Sequence, residues 1–397
     1  MDEAVARRIE RLVEYIDSVE DIPHFVREAV RAVPRHRFVP DVALAAPGGS
    51  EEAFVIDRIA DPGTWWDTVY SPAPIVTQLD DGGTDIRAGA GAYTSSSSAP
   101  STVAHFLQLL DPEPDDQVLE VGAGTGWTAA LLAHLVGSHG GVTSVEIDGN
   151  VAEQAAKNLA DFEAEAEAEA EAGAGVRVVV GDGAEGWSER APYDRVHVTC
   201  GIRTVPYAWV EQCRPGGVIV APYCPGFGDD HALRLVALPD GTAVGRFPGY
   251  ASYMMMRSQR PIPYVGDDGG GRRLATRVHP RTIGLAPPGA DLAMAAMTGL
   301  YAHTSRQYSR FLVYVLDPGD PGQWAVGVHE RGESEHTVYQ MGERPLWEEV
   351  TDAYFRWVGW GEPGRDRFGM TVTPEGQRVW LDSSDRVIAT SGCTAAS

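Results

Sequence analysis

The 397-residue chain carries 56 acidic against 32 basic side chains, a formal net charge of −24. Such a charge excludes nucleic acid and an anionic membrane surface as the natural partner, since both would be repelled. The length allows two domains with buried cores, and no stretch approaches the roughly 20 apolar residues of a membrane span. The opening Met1-Asp2-Glu3-Ala4-Val5 is not a signal core, so a cytoplasmic location is expected, as a monomer or homodimer.

Val5, Ile9, Leu12, Val13 and Ile16 recur at helical spacing, and a second helix over 24–33 runs into Pro34. Together they predict a helical cap. Residues 41–98 are rich in Gly, Pro, Asp and Ser and are expected to be loops that cover an active site as lids. Trp65, Trp66 and Tyr70 lie there and are expected to be core packing rather than part of a lid, since large aromatics are usually buried. Ser95–Ser98 precede a helix predicted to begin near Ser101, and serines in that place can cap it.

Val118–Ala130 reads as an apolar strand ending in Glu120-Val121, a turn with glycine at 122, 124 and 126, and a helix start. The missing Cβ atoms let the backbone approach a ligand closely. The spacing is G-x-G-x-G, with no Gly-Lys-Ser/Thr phosphate loop, so a nucleoside without a pyrophosphate fits better, and S-adenosylmethionine is the candidate. A purely structural turn is the alternative. Residues 142–148 form a second strand ending in Glu146-Ile147-Asp148, where an acid can accept from ribose hydroxyls. Residues 176–183 form a third, whose Asp182 could accept from an adenine amino group, and 193–200 a fourth. Each acid alone could be a solvated strand end. The ordered set instead matches a parallel sheet that binds its ligand at the strands' C-terminal ends, with helices on both faces.

Glu163–Ala172 alternates Glu with Ala, which leaves no apolar stripe and reads as a solvated helix extension or insertion. Beyond it, 233–238 and 241–247 predict a hairpin, Tyr253–Arg257 a strand, Pro261–Gly271 a linker, and 275–385 a small α+β domain with an amphipathic helix over 347–357 and a turn over 372–377. Cys200, Cys213, Cys224 and Cys393 have neither C-x-x-C spacing nor neighbouring paired histidines, so no metal and no disulfide framework are expected. Lys157 is the only lysine.

Ala32-Val33-Pro34-Arg35-His36-Arg37-Phe38-Val39-Pro40, Ser98-Ala99-Pro100, Gly181-Asp182-Gly183, Pro192-Tyr193-Asp194, Gly201–Pro206 and Cys213–Val218 together resemble the protein-L-isoaspartate O-methyltransferases, over residues 1–225. The resemblance implies an α/β fold: a class I, Rossmann-like S-adenosylmethionine-dependent sheet with a helical N-terminal cap. A smaller α+β domain over 226–397, a C-terminal extension for peptide recognition, is the expectation for the remainder. The implied cofactor residues are Ser95, Ser97, Glu120, Gly122, Gly124, Gly126, Glu146, Ile147, Asp182, Gly183 and Thr199. Ser98 is implied as the active-site serine, with Arg203, Val205 and Arg257 beside it on the peptide substrate.

Tyr70–Leu79 and the Gly/Asp-rich stretch before Thr94-Ser95-Ser96-Ser97-Ser98 depart from the usual family pattern. That departure, with the long C-terminal region, is similar to homologues that tailor ribosomal peptides such as lanthipeptides and graspetides. The expected reaction is then methylation of an aspartate in a cyclised precursor peptide, leading through the ester to a succinimide (aspartimide); the alternative is housekeeping isoaspartyl repair. A carboxylate is already ionised at neutral pH, so displacement at a methyl group needs positioning more than a base. His36 and His197 could supply acid/base chemistry but are not required. A basic patch from Arg35, Arg37, Arg203 and Arg257 is expected to meet an acidic peptide.

Overall fold

The computed structural model describes residues 3–48, 52–168, 175–261, 271–332 and 335–392. The chain forms two compact units, Met1–Cys200 with Ala208–Ala221 and Val236–Gly241, and Gly201–Tyr207 with Pro222–Leu235 and Thr242–Ser397. The chain passes between them several times, so no single cut after residue 225 separates them.

The first unit opens with helices α1 (Glu3–Glu20) and α2 (His24–Ala32). Ile9, Leu12, Val13 and Ile16 are buried on α1, as their spacing predicts, and each such side chain contributes about 1.5–3 kcal/mol relative to exposure. Residues 41–98 correct the expectation of loops. Strands β1 (Val42–Ala45) and β2 (Phe54–Asp57), helix α3 (Pro62–Val69), and strands β3 (Ile75–Leu79) and β4 (Tyr93–Ser97) follow one another, and the strands form an antiparallel sheet in the order β2-β1-β3-β4. Leu44, Val76 and Leu79 make its small core. Gly and Asp crowd the turns around 80–92 and mask these short strands in the average composition. Trp65 and Tyr70 are buried, with the indole N–H of Trp65 donating to Pro40 O at 3.0 Å, so packing is their role.

Helix α4 (Pro100–Leu110) then leads into the alternating body: β5 (Gln117–Val121), α5 (Trp127–Val136), β6 (Gly141–Glu146), α6 (Gly149–Ala168), β7 (Val176–Val180), β8 (Tyr193–Val198), α7 (Tyr207–Glu211) and β9 (Cys213–Tyr223). The strands lie in the order β7-β6-β5-β8-β9, and each of these neighbouring pairs is parallel. The order reverses at β5, which opens a crevice at the C-terminal ends of β5 and β8. Of the Glu/Ala repeat, residues 163–168 continue α6 and 169–172 lie outside the described residues.

In the second unit, β10 (Asp230–Ala237) and β11 (Ala243–Ala251) are neighbours, as the hairpin reading predicts. Next come β12 (Arg272–Thr276), α8 (Pro280–Gly284), α9 (Pro288–Thr298), β13 (Tyr301–Gln307), β14 (Arg310–Asp317), β15 (Asp320–Glu330), β16 (His336–Met341), α10 (Leu346–Gly359), β17 (Phe368–Thr373), β18 (Gly376–Leu381) and β19 (Val387–Gly392). An antiparallel sheet runs β12-β16-β15-β14-β13, and β17–β19 continue beside β11. Trp347, Val350, Ala353 and Trp357 are the buried stripe of α10. Tyr253–Arg257 is not a strand: Met255 makes an isolated bridge to Gly201, and a 3-10 turn starts at Arg257. Residues 262–270 of the expected linker lie outside the described residues, as does Cys393.

His197 sits in mid-β8, fully buried, edge-on to Phe106, with no hydrogen bond to either ring nitrogen among the described residues. It is a core residue and no acid or base. Burial pushes its pKa down to about 3, so the folded state refuses a proton that the unfolded chain takes below about 6.5. The stability of the neutral ring is therefore present above about 6.5 and lost as pH falls toward 3. His197→Leu should move the acid-unfolding midpoint, followed by circular dichroism, to lower pH; an unchanged or higher midpoint would contradict this assignment.

Candidate active site

The crevice at β5 is shaped by glycines. Gly122, Gly124 and Gly126 have φ of 95°, 53° and 88°, values that side chains rarely adopt. A Cβ on Gly122 would overlap Thr199 Oγ1, and one on Gly124 would stand 3.0 Å from Ser96 O. Thr199 closes one side by donating from Oγ1 to the carbonyls of Val121 and Gly122, the latter at 2.6 Å. A Cβ on Gly183 would overlap Val121, so that glycine holds the third strand's turn against β5.

Acids ring this turn. Glu146, at the end of β6, accepts from Gly124 N at 3.2 Å and Asp148 N at 3.1 Å, which aims its carboxylate at the glycines. Each oxygen keeps a free lone pair for a hydroxyl. Ile147 beside it is 43% exposed, an apolar surface next to the polar end of the strand. Asp182 Oδ1 accepts from Ala184 N at 2.9 Å, leaving Oδ2 as a free acceptor. Glu120 behaves differently. It is fully buried, accepts from Ser144 Oγ through one oxygen, and its Oε1 has no partner. Burial pushes its pKa up to about 8, which keeps it largely protonated at neutral pH. A glycine-walled cradle, outward acceptors on two strand ends and an orphaned buried oxygen beneath fit a nucleoside-bearing cofactor.

The serine segment lies over the same turn. Ser95 Oγ meets Thr77 Oγ1 at 3.3 Å, and Ser96 O walls Gly124. The serines do not cap α4, whose N-cap is Ala99 with no side-chain bond. Ser98 is half-buried, and its hydroxyl makes no hydrogen bond among the described residues. What fixes the segment is Arg35. Its guanidinium, 1% exposed, donates to Val69 O, twice to Ala73 O, to Ser97 O and Ser98 O at 2.9 Å each, and to Ser97 Oγ. Its face covers the Trp127 ring at 5.4 Å. All these partners are uncharged, and burial pushes its pKa down to about 9. Arg35 therefore belongs to no surface patch, contrary to expectation. A further latch that the sequence did not single out ties β3 and β4 to the cofactor strand: Thr94 Oγ1 donates to Gln78 Oε1 at 2.9 Å, and Gln78 Nε2 donates to Asp148 Oδ2 at 3.2 Å.

The family profile for protein-L-isoaspartate(D-aspartate) O-methyltransferase matches residues 84–236. A protein-L-isoaspartate O-methyltransferase of Methanopyrus kandleri is 35% identical over 273 residues, 68% of this chain and 96% of that protein. The chain belongs to the protein-L-isoaspartate O-methyltransferase family. A second relative of that name, from Archaeoglobus fulgidus, is 35% identical over 213 residues, 54% of this chain and 77% of that protein. A solved structure named protein-L-isoaspartate O-methyltransferase aligns with 94% of this chain and all of its own, with a TM-score of 0.52 and 20% identity, and so shares the fold.

The family motif that supplies Arg35 also supplies His36, whose Nδ1 lies 2.6 Å from Tyr70 Oη and whose pKa burial pushes down to about 4. Arg203, Val205 and Arg257 belong to the second unit. There Gln259 joins the first and last: its Oε1 accepts from Arg203 N at 2.7 Å, and it lies in the turn that starts at Arg257. Arg203 is half-buried and donates to Gly299 O at 3.1 Å. Val205 is 1% exposed, and its amide donates to Gln377 Oε1 at 3.0 Å, so neither side chain nor amide is left for a peptide; that expectation is corrected.

Two substitutions should separate cradle from clamp. Gly122→Ala should weaken S-adenosylhomocysteine binding, measured calorimetrically, by about tenfold or more, a cost of ~1.4 kcal/mol; an unchanged affinity would remove the turn from the cofactor site. Arg35→Lys strands several carbonyls and should cost about 2–3 kcal/mol in urea unfolding. Its remaining folded fraction should bind the same ligand normally but turn over poorly, and full activity would show that the serine segment does not depend on Arg35.

Proposed function

We propose that the chain transfers a methyl group from S-adenosylmethionine to the free α-carboxylate of an L-isoaspartyl residue in a protein or peptide. The observation that carries this reading is Ser98: an uncommitted, half-buried hydroxyl, clamped through its own carbonyl by Arg35, immediately after the strand whose Ser96 carbonyl walls the cofactor turn. Family membership supports it.

The cofactor supplies an electrophilic methyl group on a sulfonium centre, which an ionised carboxylate attacks in line. Glu146 is suited to hold ribose hydroxyls, and Asp182 an adenine amino group. Gly122, Gly124, Gly126 and Gly183 allow close approach, and Thr199 keeps the turn in shape. Ser95 and Ser97 serve as scaffold, and Glu120 lies beneath the turn as an acid that can donate. Ser98 donates to the acceptor carboxylate and orients one oxygen, and α4 begins two residues later, where a helix N-terminus favours an anion. Positioning of this kind can be worth up to roughly 7–11 kcal/mol in ideal cases. The product ester is open to the backbone nitrogen of the following residue, which expels methanol and closes a succinimide; hydrolysis of the ring gives aspartate or isoaspartate. Because the chain carries a net charge of −24, Arg203 and Arg257 would supply local positive charge for an acidic peptide.

A second reading, tailoring of an ordinary aspartate in a cyclised precursor peptide, draws on the unusual Asp80–Gly91 stretch and the run Ser95–Ser98. The long C-terminal region does not favour it, since a structure bearing the family's name covers 94% of the chain at the level of fold.

Mass spectrometry with S-adenosylmethionine and an unconstrained isoaspartyl peptide, beside its normal aspartyl twin, tests the proposal. The isoaspartyl peptide alone should gain one methyl mass. Methylation confined to a cyclised aspartyl peptide would move the assignment to tailoring. Ser98→Ala should lower kcat/KM by about 10–100-fold, the value of one hydrogen bond to a charged group, with S-adenosylhomocysteine affinity unchanged.

A further inference from the structure

The cysteine spacing gives no reason to expect a metal, but the fold of the second unit gathers three histidines that lie far apart in the chain. His329 is the penultimate residue of β15 and His336 the first of β16. These strands pair antiparallel with Val328 opposite Thr337, so one step further along the ladder His329 comes opposite His336. The other neighbour of β16 is β12, where Thr276 pairs with His336, and the chain leaving β12 reaches His279 at the start of α8. The ring centroids stand 4.1 Å apart for His279 and His329, 4.7 Å for His279 and His336, and 5.1 Å for His329 and His336. One nitrogen of each lies within 4.8 Å of the others.

We propose that His279, His329 and His336 form a transition-metal site, with zinc as the expected occupant and a fourth position open to water or an outside ligand. Three imidazoles suit zinc, copper, nickel or cobalt, whereas calcium and magnesium require oxygen ligands. Tetrahedral Zn–N bonds of about 2.0–2.1 Å place ligand nitrogens about 3.3 Å apart, so the rings need to close by a little over ~1 Å, within reach of small side-chain rotations.

The structure supports a metal over plain packing on two counts. His329 Nδ1 is buried without a hydrogen-bond partner, which is costly for a ring that only packs. The three rings also converge from three separate chain segments, with one nitrogen of each within 4.8 Å of the others. Imidazole nitrogens gathered in this way are what a transition-metal cation collects. Two features temper the affinity. Arg281 places a positive charge nearby, and His279 Nδ1 already accepts the Arg281 amide at 3.1 Å. Loading through that nitrogen gives up the cap of a five-residue helix, so metal binding is coupled to the local chain path. A bound ion would clip the β12–α8 connection to the β15–β16 hairpin.

The test uses the full-length protein without an affinity tag, stripped with a chelator, and does not depend on the methyltransferase reading. Titration with Co²⁺ should give visible d–d absorption that saturates at one equivalent and is displaced by Zn²⁺, and Zn²⁺ should raise Tm. His329→Gln and His336→Gln should each abolish both signals, while His139→Gln, an exposed histidine of the first unit, should leave them intact. His279→Ser retains a capping side chain and tests the third ligand if the strand variants fold poorly. Retained S-adenosylhomocysteine binding in the variants reports an intact first unit. Absence of saturable Co²⁺ binding, or its persistence in the His329→Gln/His336→Gln double variant, would overturn the proposal.

Discussion

The first unit is organised around one buried guanidinium. Arg35 joins the end of the helical cap to α3, to the turn before β3, and to the serine segment after β4, using donors on three nitrogens. An unpaired charge in the interior is expensive. It is tolerable here because a planar fork with five donors satisfies carbonyls that would otherwise be orphaned at three chain ends, and because the Trp127 ring covers its face. No lysine could match that geometry, since an ammonium is a point donor. The pieces held together in this way do not form one continuous hydrogen-bonded sheet: β1–β4 make one sheet and β5–β9 belong to another. The Thr94–Gln78–Asp148 relay is a polar tie between them, Arg35 fixes the serine segment, and both act on the wall of the glycine turn.

The turn itself follows from topology. At β5 the strand order reverses, so the chain segments leaving β5 and β8 diverge and leave room between them. Side chains would fill that room, and the backbone there takes three left-handed residues in a span of five, which glycine alone adopts without strain. Glu146 then does two things at once: it accepts the Gly124 amide and so fixes the turn, and it presents the remaining lone pairs of its oxygens outward. In the proposed function, structure and ligand recognition would share this one carboxylate.

Much of this was legible from residue order. Apolar runs that end in Glu146, Asp182 and Thr199 announced the parallel sheet, because buried parallel strands read as continuous hydrophobic stretches with their polar residues at the C-terminal end. The sheet over 41–98 was not legible, because its four- and five-residue strands are diluted by turns rich in Gly and Asp. Arg35 stood in a recognisable motif, yet its burial could not be read, since an arginine between Pro34 and His36 looks like any surface cation until the carbonyls that surround it, drawn from residues 69 to 98, are known. Val205 and the three histidines of the second unit share that difficulty: what decides each is a partner distant in sequence, Gln377 for the first and strand pairing for the others.

The electrostatics of the first unit also select the kind of acceptor it can serve. In the first unit, three groups with acid/base potential are held in their inert forms: His197 neutral in the core, His36 neutral against Tyr70, and the Cys200 thiol pushed up to about 12 by burial and by Glu146 and Asp182. An alcohol or ammonium acceptor would arrive protonated and need one of these groups to take its proton. A carboxylate arrives ionised and needs only to be turned and held. A hydroxyl such as that of Ser98, donating without removing a proton, is matched to that demand. The same burial that costs the fold some stability at low pH therefore restricts the site to acceptors that carry their own charge.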